Sequence, residues 1–96
     1  MAAIEVTTFQ VREGSESAFH RGLTNALPIL MRQQGYLGHK FGASIEQPGE
    51  FWLIVNWQRL EDHTEGFRES AEFQDFVGAF SPFLAKPAAV SHFITG

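Results

Sequence analysis

His63 is the residue in this chain best placed to do chemistry. It stands in the stretch RLEDHTEGF, residues 59–67, where Leu60, His63, Thr64 and Phe67 fall on one face of a helix. That face is apolar enough to look onto a sheet. Glu61 and Asp62 precede it in the first turn, where carboxylates suit the positive end of the helix. The same dipole, together with partial burial, disfavours the imidazolium, which leaves a neutral ring able to accept a proton near pH 7. His63 is therefore a candidate general base or substrate hydrogen-bond partner. The alternative is a histidine at the edge of the core that bonds a backbone carbonyl.

Trp57 is the second candidate. It closes the strand Phe51–Gln58 on the same face as Leu53 and Val55, and an indole there offers a flat stacking surface and one N–H donor. It would also serve simply as a seal on the core. Thr7 and Leu53 on the strands, with Phe67, Phe76 and Phe80 on the second helix, complete a possible aromatic pocket, although helical spacing alone predicts burial of the three phenylalanines. The other histidines say less. His92, in the last strand, stands near the pocket or at a seam between subunits, with a structural role as the simpler reading. His39 has no evident partner, and His20 lies mid-helix beside the apolar stripe, in water. No histidine pair has the local spacing with carboxylates that a metal needs. Ser91 and His92 point to opposite faces of their strand and make no triad. A phosphate-binding glycine loop, a nucleophile elbow and a dinucleotide fingerprint are all missing from the sequence.

Hydrophobic periodicity supplies the elements that must hold these residues. Residues 3–11 are β-branched and aromatic and predict a first strand. Ser15 is placed to cap a helix with Phe19, Leu23, Ala26, Leu27 and Leu30 on its apolar stripe. Pro28 removes a hydrogen bond back to Thr24 and predicts a kink or an early end, and Gly35 a stop. Residues 36–45 predict strand two, with Gly38 and Gly42 thinning one face. Gln47-Pro48-Gly49-Glu50 reads as a turn, and residues 51–58 as strand three. A second helix starts at Arg59, weakens at Gly66, and resumes after a Ser70 cap with Phe73, Phe76, Val77 and Phe80. Pro82 and Pro87 flank a loop before a closing strand over 88–95.

The order β-α-β-β-α-β is that of an α+β, ferredoxin-like split-βαβ sheet with both helices on one face. At 96 residues the chain makes a single domain, residues 1–96. Strand three creates a difficulty: Phe51, Leu53, Val55 and Trp57 line one face, while Trp52 and Ile54 line the other. Both faces call for cover, and the helices supply one. A second copy packed sheet to sheet supplies the other, which predicts a homodimer. The formal net charge of -4, with no basic stripe, argues against nucleic acid. The sequence has no cysteine, which suits a reducing cytoplasm. No run approaches the ~20 apolar residues of a membrane span. A soluble, cytoplasmic protein with no membrane partner is expected.

The run PGEFWLIVNWQRLEDHTEGFRESAEFQDF, with QQGYLGHKFG before it and AAVSHFITG after, resembles the antibiotic biosynthesis monooxygenase family over nearly the whole chain. The resemblance implies a dimeric α+β barrel. It also implies an oxygenase acting without metal, flavin or other cofactor on a small electron-rich aromatic compound, a quinol, phenol or anthrone, with a Trp at the position of Trp57 lining the cavity. The sequence departs from its polycyclic-phenol oxygenases at two places. Leu53 stands where they carry an asparagine, and His63 where they carry a tyrosine. It also lacks the strand-one asparagine of the haem-degrading members, where Thr7 stands, and their helical haem ligand, since residues 71–83 hold no histidine. The expectation is a cofactor-independent monooxygenase with His63 as base. The competing expectation is a non-catalytic barrel that binds a small hydrophobic metabolite or serves as a structural subunit.

Overall fold

The computed structural model describes residues 2–95. The chain runs β1 (Ala3–Gln10), α1 (Glu16–Met31), β2 (Tyr36–Ala43) and β3 (Glu50–Trp57). It continues through a turn of π-helix (Asp62–Phe67), α2 (Ala71–Gly78), a 3-10 turn (Ser81–Phe83) and β4 (Ala89–Ile94). The strands form one sheet in the order β2-β3-β1-β4, with every neighbouring pair antiparallel. This is the expected ferredoxin-like arrangement, and the sheet is open rather than closed on itself. Among the described residues no helix is long and apolar enough to cross a membrane.

Alternation decides which side is covered. On β3, Phe51, Leu53, Val55 and Trp57 are buried, whereas Trp52 and Asn56 are exposed. On β1 the partners Phe9, Thr7, Glu5 and Ala3 face the same way and are all buried. The stripe on α1 seats Phe19, Leu23, Ala26 and Leu30 onto this inner face, and fully burying side chains of this size stabilises by about 1.5–3 kcal/mol each. The opposite face keeps Trp52 and Phe93 exposed, at 40% and 53%.

Several local expectations need correction. The backbone at Ser15 is not extended, and its hydroxyl makes no capping bond; its carbonyl opens the helix instead, accepting the Phe19 N–H at 2.8 Å. Helix α1 continues past Pro28 to Met31. The proline orphans only the Thr24 carbonyl, and Thr24 lies exposed, where water can satisfy it. Gly35 does not end the helix. It turns the chain into β2 at φ +85°, and its carbonyl accepts the Gln58 N–H at 2.7 Å. A register shift between Tyr36 and Gly38 brings Tyr36 within reach of His39, so that His39 Nδ1 has a partner after all, the Tyr36 hydroxyl at 2.6 Å. Strand two also ends at Ala43 rather than Ile45.

The second helix departs most from expectation. After β3 it opens as a π turn in which the Arg68 N–H reaches back five residues to the His63 carbonyl, at 3.1 Å. Asp62 is buried. Its carboxylate accepts the Arg59 backbone N–H at 3.2 Å and the Arg59 guanidinium at 3.1 Å. Ser70 does precede α2, but its hydroxyl donates to the Phe67 carbonyl at 2.7 Å and leaves the new helix uncapped.

Candidate active site

The inner face changes character along β1. Phe9 is core, but two and four residues earlier the same face presents Thr7 and Glu5. Because β1 is central, Glu5 has neighbours on both sides: it lies opposite Val55 on β3 and opposite His92 on β4. Trp57, two residues beyond Val55, lies diagonal to it and within reach. The π turn lowers His63 onto this group from above.

Hydrogen bonds and one close contact link the group. Glu5 Oε2 accepts the Thr7 hydroxyl at 2.5 Å. Glu5 Oε1 accepts the Trp57 indole N–H at 2.9 Å and lies 3.3 Å from His63 Nε2. His63 Nδ1 meets His92 Nε2 at 2.8 Å. The His63 ring lies over the Trp57 indole, with centroids 5.4 Å apart and planes 14° apart. A buried carboxylate with no partners would cost several kcal/mol. Here every buried polar side-chain atom among the described residues is satisfied.

Burial pushes the basicity of His63 below that of an ordinary histidine. The charge of Glu5 opposes this, while Arg68 and His92 add to it. The ring is thus held neutral near pH 7 by desolvation, as the sequence predicts, with the helix dipole not needed to explain it.

Beside this group lies a cavity of about 300 Å³, at the lower end of the range that holds small molecules. Its polar side is Glu5, Thr7 and His63, and its walls include Leu53, Phe67, Phe76 and Phe80. The structure therefore brings together all the expected pocket residues save Trp57. That indole is wholly buried and sits behind His63 rather than on the cavity wall, with its N–H committed to Glu5. The strand end that was expected to open onto the cavity is instead roofed by the imidazole.

Two groups, Glu5 and Arg68, were missed from the sequence, and a third, His92, was named there only as near the pocket or at a subunit seam. Glu5 was legible, since a carboxylate at an inward position of an otherwise apolar strand face is itself a signal. His92 could be placed beside His63 only once β4 was known to pair with β1. Arg68 lines the cavity because the π turn brings residue 68 round towards residue 63; an α-helical wheel turns it away.

Glu5 and His92 approach different nitrogens of His63. The three therefore make a chain and not a cage, and among the described residues no group of three or more His, Cys, Asp or Glu side chains is arranged to hold a metal ion. What the arrangement can do is accept, hold and pass a proton beside an apolar cavity.

Comparison with known proteins agrees with this framework. The family model for antibiotic biosynthesis monooxygenase matches residues 2–79. The protein YczJ of Bacillus subtilis (strain 168) is 35% identical over 89 residues, spanning 93% of this chain and 94% of its own length. A solved structure from Bordetella bronchiseptica, described as a candidate antibiotic biosynthesis monooxygenase, superposes with a TM-score of 0.94 at 32% identity, over 99% of this chain and 97% of that one. A mutant form of SnoaB, a cofactor-independent oxygenase from Streptomyces nogalater, gives a TM-score of 0.83 at 15% identity, over 98% and 92% of the two chains. At that identity the likeness is one of fold.

Proposed function

The chain belongs to the antibiotic biosynthesis monooxygenase family, and from that premise we propose that it is a cofactor-independent monooxygenase of a small electron-rich aromatic compound, with His63 as its base. The observation that carries this reading is the aromatic-walled cavity with an imidazole, held neutral by burial, on its polar side. The reaction of SnoaB, a cofactor-independent oxygenase, is the precedent within the fold.

Such a reaction relies on the substrate for its electrons. For an anthrone-type methylene, loss of a proton gives an anion that adds O₂ with formation of a C–O bond. Reprotonation gives a hydroperoxide. Loss of the remaining C–H proton with cleavage of the O–O bond then leaves one oxygen in the product carbonyl and the other in water. The protein must supply a base, a dry pocket for the flat anion, and donors for the developing charge. His63 supplies the first, and Leu53, Phe67, Phe76 and Phe80 the second. Arg68, at the cavity wall, is the cation nearest to the third task. A cavity of this size favours a quinol or naphthol over a larger polycycle.

The assembly we propose is a homodimer joined through the outer sheet face. Exposed Trp52 and Phe93 support it, since patches of this kind mark interaction surfaces. A cysteine-free chain of this type suits the cytoplasm. Oxygen uptake tests the activity: with a panel of hydroquinones, naphthols and anthrones, uptake should match product formation and fall sharply in His63→Gln. Binding of these compounds without any uptake would sink the proposal and leave a metabolite-binding barrel, the reading that Leu53 favours by standing where the phenol oxygenases carry an asparagine.

A further inference from the structure

We propose that Glu5, His63 and His92 form a proton relay, in which Glu5 takes the substrate proton and hands it to His63, and His92 exchanges it with water in a separate cleft. The relay rests on the oxygenase reading and specifies its proton path.

The first support is that each nitrogen of His63 is approached by a titratable side chain. Nε2 faces Glu5 at 3.3 Å and Nδ1 faces His92 at 2.8 Å. A ring approached at both nitrogens receives the substrate proton by way of Glu5, so His63 remains the base and Glu5 hands the proton to it. The second support is position. Glu5 lies on the cavity lining beside His63, so its carboxylate is the acceptor within the pocket. His92 is half-buried and lines a different cleft, with Arg59, Leu60 and Phe93. One end of the chain thus opens to substrate and the other to a separate surface. The third is desolvation. A protonated His63 is disfavoured, so the ring passes charge onward rather than storing it.

The bonds balance as follows. The substrate O–H, or acidic C–H, breaks as the Glu5 O–H forms. That bond breaks as His63 Nε2–H forms, while His63 Nδ1–H breaks and His92 Nε2–H forms. His92 Nδ1–H then gives its proton to water in the outer cleft. Both imidazoles end neutral with their tautomers reversed. When the peroxide requires a proton, the same sequence runs backwards and resets them. The charged side chains facing this chain are Arg68 on the cavity side, and Arg59 and Glu61 beside His92.

Two measurements on the full chain test the relay. The first needs no substrate. In ¹⁵N-histidine-labelled protein, NMR should show the His63 titration displaced in both His92→Gln and Glu5→Gln. A His63 titration identical in wild type and both variants overturns the relay. The second is oxygen uptake with 1,4-dihydroxynaphthalene. Glu5→Gln should lose about 10²-fold or more in kcat, and His92→Ala about 10-fold or more with little change in KM, recovered by added imidazole. A His92→Ala protein with wild-type kcat, or one that imidazole fails to rescue, overturns it. If the wild type takes up no oxygen with any of the panel compounds, the oxygenase reading fails, and the NMR result alone decides the relay.

Discussion

The space between sheet and helices has two ends built on opposite terms. At one end Phe19 meets Phe9 and Phe51 in tilted contacts, with centroids 5.1 and 4.9 Å apart, and Phe80 meets Phe9 edge-on at 5.3 Å. Aromatic pairs of this geometry add about 0.5–1.5 kcal/mol beyond their buried area. At the other end the same strands present Glu5 and Thr7, with His63 above them and Trp57 beneath His63. Here each buried polar group must be matched to a partner, and the return we propose is chemistry rather than stability. A single eight-residue strand, β1, serves both ends through its inward positions. The contrast teaches that the chain's phenylalanines serve two duties: Phe19 and Phe51 fill a solid core, Phe67, Phe73 and Phe76 wall a void, and Phe9 and Phe80 stand between the two.

The comparison breaks most readily at the solid end. Phe19→Ala removes a ring that is wholly buried and should cost about 3–5 kcal/mol in denaturant unfolding, a large part of the ~5–15 kcal/mol that typically holds a domain together. The converse substitution is His63→Gln, expected to lower turnover by about 10²–10⁴-fold while shifting the unfolding midpoint far less. If His63→Gln instead unfolds the protein and leaves residual turnover per folded molecule intact, the division of labour is wrong. Gly35→Ala probes the support of the polar end. The residue sits at positive φ and a Cβ would overlap the Asp62 carboxylate, so a loss of more than about 1 kcal/mol is expected by the same unfolding assay.

Acidity sharpens the contrast further. The folded-state basicity of His63 is depressed, so below about pH 6.5, the ordinary histidine value, the unfolded chain binds the extra proton first. Stability should therefore be full above that pH and fall as pH drops, levelling once the folded-state ring also protonates. His63→Gln should flatten this segment of the stability–pH curve relative to wild type, and Phe19→Ala should not. The smallest effect belongs to neither end. Arg32→Ala removes an exposed ion pair with Glu72 and should leave the melting temperature within experimental error.

The sequence made the covered architecture plain because burial follows period. The stripe on α1 and the alternation on β3 each name their buried residues almost without error, and the same logic picked out Leu53, Phe67, Phe76 and Phe80 as cavity wall. What it hid depends on facts that period does not carry. Trp57 was correctly placed on the inner face, but the destination of its N–H depends on a carboxylate on the neighbouring strand. Glu5 was overlooked because it is outnumbered by apolar neighbours on β1. His92 acquires its meaning from the β1–β4 register, and Arg68 from one extra residue in a helical turn. Pro28 misled for a similar reason, since the cost of a helical proline depends on whether the orphaned carbonyl can reach water.

The two outer strands of the sheet are unequal in a way that bears on how the molecule behaves when crowded. The irregularity at Tyr36 and Gly38 twists the rim at β2 and spoils it as a template. The rim at β4 has no such guard: AVSHFI is β-prone, carries no lysine, carboxylate or proline, and holds Phe93 and Ile94 in the open. Segments of that composition nucleate fibrils when left bare. Dilution or a change that uncovers this rim should therefore endanger solubility there first, well before the helical layer has loosened.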